Sequence, residues 1–294
     1  MLSASGANTL KLVFADAHCH TNPLKGLGMR KIAVKFKENN GWFMGIVGLS
    51  PWNYDLNPSY EGYLKAFEIV LKECRIAKEH GLKTSCIIGI HPADIDKLVY
   101  RYGMKIDEAY NLALRVLSKA VDLCRKGVVD GIGEEGRPHY KIDPTFVVAS
   151  ELVLMRAMEA AKDYDCIIHM HLEQGSSVTV ESIEELANLV GAPMEKLLFH
   201  HTRPGLTERV IKKGYNATVP GIEPVLKIVF NRVEPTFMVE SDYIDDPKRP
   251  GVVVYPWEMV SNELKLMREN IVSEDDLYKV NVDNIVRFYG VQPP

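Results

Sequence analysis

Short apolar runs and longer amphipathic segments alternate along the whole chain. Eight of the apolar runs are β-branched and short enough to be strands of a sheet. The eight predicted strands lie near residues 11–18, 42–50, 83–91, 128–135, 165–171, 196–201, 215–219 and 236–242. Between them, apolar residues recur at intervals of three and four, which predicts helices at residues 59–80, 106–125, 144–163 and 181–190. Ser273 with Asp276 is typical of a capping box that opens a last helix running toward Phe288.

The order of these elements predicts a parallel sheet, because strands alternate with helices from one end to the other. Eight such units in 294 residues favour an α/β fold of one domain, a (β/α)8 TIM barrel with a C-terminal helix, over an open doubly wound sheet. The sequence contains no internal repeat and no Pro/Gly/Ser-rich linker, so we expect one domain over residues 1–294. Residues 1–8 are small and polar and are expected to form a flexible tail.

Composition limits the class of protein without naming a function. With 46% hydrophobic and 25% charged residues, the chain is typical of a soluble globular protein. Its formal net charge of −4 gives no general attraction to nucleic acid. The five cysteines form no CxxC pair, which favours reduced thiols in a cytosol over a disulfide framework. Because no secretory signal and no run of about 20 apolar residues is found, we expect a cytoplasmic protein without a membrane partner.

Polar residues that carry metal or acid–base chemistry fall at the carboxyl ends of the predicted strands. They are His18 and His20, His91, Glu134 and Glu135, His169 and His171, His200 and His201, and Asp242. In a TIM barrel these strand ends converge on one mouth, where such enzymes build their active sites. The sequence therefore predicts one site made from residues that are far apart in the chain.

Imidazole nitrogens and carboxylate oxygens are suitable ligands for one or two divalent ions such as Zn, Mn, Fe or Ni. Asp242 is the candidate for the acid–base group, and Glu240, on the same strand face, is expected to orient its neighbours. Alternation places both His169 and His171 inside the barrel, but only one of His200 and His201. Taken alone, His80 and His139 are expected to be ordinary structural or surface residues.

Several of these segments resemble the motifs of one known family. ADAHCH at 15–20 resembles an opening HxH strand, GIHP at 89–92 a GxHP segment, and GIGEEG at 131–136 a GEIG segment. CIIH at 166–169, LLFH at 197–200, VESD at 239–242 and DNIVRFYG at 283–290 resemble the later motifs. The chain is thus similar almost end to end to the TatD-type metal-dependent hydrolases of the amidohydrolase superfamily.

The resemblance implies a ligand set. His18, His20 and Asp242 would hold one ion, His169 and His200 the second, and Glu134 would bridge them. It also makes His91 a residue that contacts substrate or supports the ligands. Two departures stand out: His171 replaces an arginine of the family pattern, and Arg137 replaces a leucine.

The leading functional hypothesis is a divalent-metal-dependent hydrolase that uses a metal-activated hydroxide on phosphoester bonds, as the nuclease activity of the family implies. Its substrates would include single-stranded DNA with added Mg or Mn. Arg137, Arg203 or Arg249 would receive the phosphate oxygens, and His171 would lie near them.

Three alternatives remain open on the sequence alone. The same site would suit a lactonase or amidase that acts on a small metabolite. The PHP phosphoesterases also begin with a strand like DAHCHT, but their late D-x-H motif is replaced here by ESDYIDDP. A barrel that binds metal without catalysis is disfavoured, because closed structural zinc sites use four protein ligands.

Overall fold

A computed structural model describes residues 12–294, and eight parallel β-strands form its centre. The strands are β1 (Phe14–Cys19), β2 (Gly41–Val47), β3 (Lys83–Ile88), β4 (Gly131–Gly136), β5 (Ile167–His171), β6 (Leu197–Phe199), β7 (Asn216–Pro220) and β8 (Met238–Glu240). Each strand pairs with the next one in the chain, so the sheet order is the sequence order. This is the predicted (β/α)8 TIM barrel, and the strand prediction is confirmed to within a few residues at each end.

Helices cover the outside of the barrel. They are α1 (Gly28–Glu38), α2 (Tyr60–Glu79), α3 (Ala93–Tyr100), α4 (Ile106–Arg125), α5 (Pro144–Tyr164), α6 (Ser177–Val190), α7 (Pro204–Lys212), α8 (Glu223–Phe230), α9 (Pro256–Arg268), α10 (Glu274–Tyr278) and α11 (Asn284–Tyr289). The Ser59 side chain caps α2 by accepting a hydrogen bond from the Gly62 N–H, and the capping box of Ser273 and Asp276 opens α10 as predicted. The flexible tail predicted for residues 1–8 lies outside the described residues.

Backbone hydrogen bonds close the barrel at the carboxyl ends of β8 and β1. After β8, the Asp242 N–H donates to the carbonyl of His18 at 3.0 Å, and the His20 N–H donates to the carbonyl of Tyr243 at 2.8 Å. The last and first strands are thereby held side by side at their carboxyl ends. Residues that are more than 200 positions apart in the chain therefore share one wall of the mouth.

The C-terminal segment closes the opposite end through a buried polar contact. Asn281, in the turn between α10 and α11, accepts from the Ala15 N–H at 2.8 Å and donates to Glu263 at 2.6 Å. The Trp42 indole N–H donates to the Asn281 carbonyl at 2.8 Å. Because buried polar groups must be paired, this contact fixes the C-terminal segment against β1 and β2.

The expectation of reduced thiols is wrong for four of the five cysteines. Disulfides join Cys74 of α2 to Cys86 of β3, and Cys124 of α4 to Cys166 before β5, while Cys19 is free and buried. Packing of each helix on a strand brings paired residues to a Cα separation of 6.2 Å, which spacing along the chain does not reveal. Within residues 12–294, no helix has both the length and the apolar character to cross a membrane.

Candidate metal centre

Glu134, near the end of β4, lies at the centre of the histidine cluster. Its Oε1 atom is 3.4 Å from Nε2 of His18 and 3.1 Å from Nε2 of His20. Its Oε2 atom is 2.7 Å from Nδ1 of His171 and 3.6 Å from Nε2 of both His91 and His200. The two oxygens of one buried carboxylate therefore face two groups of imidazoles, as a bridging ligand would.

His20 and His200 are each oriented by a hydrogen bond at the nitrogen that faces away from Glu134. Nδ1–H of His20 donates to the Val47 carbonyl at 3.0 Å, so Nε2 is the nitrogen that faces Glu134. Nδ1 of His200 lies 2.8 Å from the buried carboxyl of Glu240, and its Nε2, which faces Glu134, also lies 3.0 Å from Nδ1 of His201. This pattern is typical of histidines that bind metals. Glu240 has the orienting position that the sequence predicted for it.

His18 supplies a direct test of whether the site suits a cation. Its ring is fully buried, and within residues 12–294 its Nε2 atom has no hydrogen-bond partner. Leaving a buried polar nitrogen unpaired costs roughly 1–3 kcal/mol. A divalent ion held by His18, His20 and Glu134 would satisfy that nitrogen, and the ligand atoms of these three residues lie within 4.8 Å of one another. The donor set therefore fits a divalent metal.

The charges around Glu134 also favour a cation. Burial opposes ionisation of Glu134, but the hydrogen bond from His171 and the adjacent imidazoles of His18 and His20 outweigh it and hold its pKa well below the ordinary value. Burial likewise opposes protonation of His20, yet the carboxylates of Asp242 and Glu134 raise its pKa to about 10. The carboxylates thus favour positive charge at the base of the mouth.

Asp242 joins the centre from the last strand and faces the open mouth. Its Oδ1 atom is 3.7 Å from Nε2 of His20 and 3.8 Å from Nε2 of His200, and 16% of its side chain is exposed. Its backbone has a positive φ of 46°, a conformation that non-glycine residues adopt rarely and mostly at functional sites. Asp242 can therefore contact both the buried cluster and water in the mouth.

His169 is placed below this cluster. Its Nδ1 atom is 3.0 Å from Nδ1 of His18, and its Nε2 atom is 3.2 Å from the hydroxyl of Tyr289. Both ring nitrogens are therefore engaged on the barrel axis, away from Glu134. His169 orients His18 in this arrangement, and the ligand role predicted for it stays a prediction that the geometry does not favour.

His171 and His91 lie instead beside Glu134 at the mouth. The Ala93 N–H donates to Nδ1 of His91 at 3.0 Å, so the hydrogen of that ring is on Nε2, the nitrogen nearest to Glu134. Burial lowers the pKa of His91 well below its ordinary value, which keeps the ring neutral. His91 is therefore a hydrogen-bond donor at the mouth rather than a lone-pair ligand.

The arginines predicted to bind phosphate have different positions. The guanidinium of Arg137 is buried and donates to Glu151 at 2.7 Å, to Glu173 at 2.8 and 3.0 Å, and to Ser182 at 2.7 Å. It is a clamp between α5, α6 and the segment after β5, and its role as a phosphate ligand stays a prediction that these contacts do not favour. Residue type and strand phase do not reveal such partners on neighbouring helices.

Two cavities open on the centre. The first has a volume of about 340 Å³ and is lined by histidines and carboxylates of the site around Glu134, by Trp52 and by two cations, Lys97 and Arg249. The second has a volume of about 660 Å³ and is lined by Arg203 and by apolar residues, including Ile222. Sequence reasoning missed Lys97, because an isolated lysine on a helix has no distinguishing pattern.

Two buried carboxylates that sequence reasoning left without a role support the mouth. Asp245 accepts hydrogen bonds from the backbone N–H groups of Asn22, Leu27 and Gly28 at 2.7 to 3.0 Å, and thereby holds the loop after β1. Glu135 accepts from the Ile90 N–H at 3.0 Å and fixes the segment that carries His91. The repeated acidic residues of ESDYIDDP and GEEG were the available signal, but nothing in the sequence gives their partners.

Comparison with known proteins agrees with this arrangement. A family model described as TatD related DNase matches residues 15–290. An uncharacterized protein of Methanocaldococcus jannaschii is 29% identical over 291 residues, which cover 95% of this chain and 96% of that protein.

Solved structures show the same fold at lower identity. A TatD-like protein from Archaeoglobus fulgidus superposes with a TM-score of 0.64 at 20% identity, covering 95% of this chain and all of that chain. The phosphotriesterase homology protein of Escherichia coli gives 0.62 at 16% identity, with 95% and 99% covered. The organophosphorus hydrolase of Deinococcus radiodurans gives 0.60 at 13% identity, with 95% and 93% covered.

Proposed function

The chain belongs to the TatD related DNase family and is a metal-dependent hydrolase, and from this premise we propose that the bonds it breaks are phosphoesters. The observation that carries the proposal is the position of Glu134. Its carboxylate lies among five histidines and lines, together with Asp242, a cavity that also contains two cations. This combination suits an anionic substrate that is attacked by water.

The ligand assignment follows from the free nitrogens. His18, His20 and His200 would hold the metal through Nε2, Glu134 would bridge, and Asp242 would complete the set. A bound divalent ion would supply a Lewis acid and would make water acidic enough to ionise near neutral pH. We propose that this centre holds one or two divalent ions from the group Zn, Mn, Mg, Fe and Ni.

Asp242 is proposed to move the proton. Of the two carboxylates that line the first cavity, that of Asp242 is the more exposed, so it can accept a proton from the attacking water and return it to the leaving group. His91, with hydrogen on Nε2 and 30% of its side chain exposed, would donate to a substrate oxygen. Trp52 lines the same cavity.

The phosphate would be bound by the cations of the first cavity. Lys97 and Arg249 line it, while Arg137 is fully engaged elsewhere. Charged donors strengthen hydrogen bonds to phosphate oxygens, and placing them at the mouth compensates for the overall charge of −4. We extend the proposal to single-stranded DNA as one substrate, since an extended strand can lie across an open mouth.

A panel of substrates tests the proposal. The purified protein is stripped of metal, reloaded separately with Zn, Mn and Mg, and assayed on a phosphodiester, a phosphomonoester, a lactone and an amide. We expect turnover of phosphoesters that requires metal and release of nucleotides from single-stranded DNA. Absence of phosphoester turnover with every metal contradicts the proposal.

One observation favours a second candidate, a lactonase. The larger cavity is lined by Pro220, Ile222, Val225 and Val253, which would accept the apolar part of an uncharged ester. Turnover of lactones with none of phosphodiesters would select this alternative in the same panel.

A further inference from the structure

Three histidines that the family resemblance does not assign as metal ligands meet at the rim of the mouth. His139 comes from the loop after β4, His171 from the end of β5, and His201 from the segment after β6. One ring nitrogen of each lies within 4.8 Å of one ring nitrogen of the others. These three residues, the rim triad, are exposed or half-buried, whereas the ligands around Glu134 are buried.

The rings of the rim triad are packed against one another. The ring centroids of His139 and His171 are 4.6 Å apart, those of His171 and His201 are 4.5 Å apart, and those of His139 and His201 are 5.5 Å apart. Imidazoles at this separation repel each other when charged. Three imidazoles that converge at one point of the surface also supply the type and number of donors that a zinc-class ion takes from proteins.

The orientation of His171 supports this interpretation. Its Nδ1–H donates to the carboxylate of Glu134 at 2.7 Å, which leaves the lone pair on Nε2. A histidine whose second nitrogen donates to a carboxylate is the usual ligand arrangement at metal sites. Nδ1 of His201 lies 3.0 Å from Nε2 of His200, the nitrogen assigned to the centre at Glu134, so Nε2 is the nitrogen of His201 that is left for the rim triad.

We propose that the rim triad of His139, His171 and His201 is a further metal site, distinct from the centre at Glu134, for a divalent ion of the zinc class. Three imidazoles and no carboxylate select Zn, Ni or Cu over Mg, which prefers oxygen ligands. Three protein ligands leave one position of a tetrahedral ion open.

The open position faces the substrate space. His139 and His201 line both cavities. An ion bound by the rim triad would therefore lie between the first cavity, which contains Lys97, and the second, larger cavity. An anionic oxygen of the substrate would fill the open position. This part of the proposal rests on the proposed phosphoester function, whereas the metal site itself does not.

Counting bound ions tests the site. Metal-free protein is titrated with Zn²⁺, and the number of bound ions and their affinities are measured by calorimetry and native mass spectrometry. We expect wild type to bind one Zn²⁺ more than His139→Ala, or to bind that ion at least tenfold more tightly. Mg²⁺ should not produce this extra class of binding. Equal numbers and affinities of Zn²⁺ in both proteins would overturn the proposal.

Two further variants separate the outcomes. His80 lies at the end of α2, where its Nδ1 is hydrogen-bonded to the Ile76 carbonyl, and it is not part of the rim triad. His80→Ala is therefore the matched control, and it should bind as many Zn²⁺ ions as wild type does. His20→Ala should lose binding at Glu134 and keep the class of ion that His139→Ala loses. Failure of the centre at Glu134 and failure of the rim triad are thereby distinguished.

The anion-binding role has its own readout. Co²⁺ is used as the probe, because its visible absorption changes when a ligand enters its coordination shell. Addition of inorganic phosphate should shift the Co²⁺ band of wild type, and the component assigned to the rim triad should be missing in His139→Ala. An identical phosphate response of the two proteins would overturn the anion-binding role.

Discussion

His169 lies beneath His18, with their Nδ1 atoms 3.0 Å apart and both rings fully buried. The contact engages the nitrogen of His169 that faces the centre, and Tyr289 engages the other. His169 therefore orients a metal ligand in this structure, whereas the family resemblance would make it a ligand itself. The two interpretations predict different numbers of bound ions in variants of His169.

His169→Gln should keep the number of ions bound at Glu134, because the ring makes no contact with that carboxylate. His200→Gln is the comparison, and it should lose an ion, since Nε2 of His200 lies 3.6 Å from Glu134. The ratio of metal to protein after gel filtration measures both. Loss of an ion from His169→Gln as well would restore the ligand role that the resemblance implies.

Arg137→Leu should lower the free energy of unfolding by about 2 kcal/mol, because it leaves Glu151 and Glu173 without their partner. Its effect on KM for a phosphoester should be small, since the guanidinium does not reach the mouth. Arg203→Leu is the matched exposed control and should leave stability within about 0.5 kcal/mol of wild type. Urea unfolding and steady-state kinetics measure the two effects; a large rise in KM with unchanged stability would contradict the clamp.

Asp245→Asn should loosen the loop after β1. The carboxylate accepts from three backbone N–H groups, and an amide has one oxygen to offer in place of two. We expect a loss of about 2 kcal/mol in stability and faster hydrogen exchange at Asn22, Leu27 and Gly28. Asp246→Asn, at a half-buried neighbour that accepts from the Lys248 N–H and from Arg249, is the control. Unchanged exchange at the three amides would show that the loop is held by other contacts.

Glu263 makes stability depend on pH. Burial raises its pKa from 4.5 to about 8 in the folded protein, with the hydrogen bond from Asn281 opposing the shift. Between these values the unfolded chain is ionised at this residue and the folded chain is protonated. The unfolded state therefore binds fewer protons, and stability falls as pH rises from about 4.5 to about 8.

Glu263→Gln removes this dependence, because the amide does not titrate. The difference in unfolding free energy between the variant and wild type should move by about 4 kcal/mol in favour of the variant from about pH 5 to about pH 8.5. Other groups titrate equally in both proteins and cancel in the difference. Urea unfolding at the two pH values measures it, and a difference that stays constant would show that Glu263 is ionised in the folded state.

The barrel could be predicted from the sequence because its determinants are local. Each strand is a short β-branched run, and the periodicity of each helix follows from the face that it buries. The helix predicted at residues 106–125 coincides with α4. The predicted strand ends differ from the observed ones by a few residues, because polar residues at the carboxyl ends of the strands lie beyond the hydrogen-bonded sheet. Cys74 and Cys86 show the limit, since their pairing depends on how α2 packs on β3.

The site was partly predictable for the same reason. Barrel geometry collects strand ends, so His18, His20, Glu134 and Asp242 could be assigned to one mouth before the structure was known. Alternation placed His169 inside the barrel but did not give its depth along the axis, which depends on Tyr289 and the C-terminal segment. The rim triad was missed because His139 lies in a loop, where no periodicity applies.

The most direct test of the central claim is the hydrolysis of a phosphodiester by metal-loaded wild type and Asp242→Asn, with bound metal measured in the same samples. Asn keeps one oxygen for an ion and loses the proton acceptor. We predict that the variant retains bound metal and loses at least about a hundredfold in kcat, and that metal-free wild type is inactive. A variant as active as wild type, or a metal-loaded wild type without phosphodiesterase activity, would contradict the account.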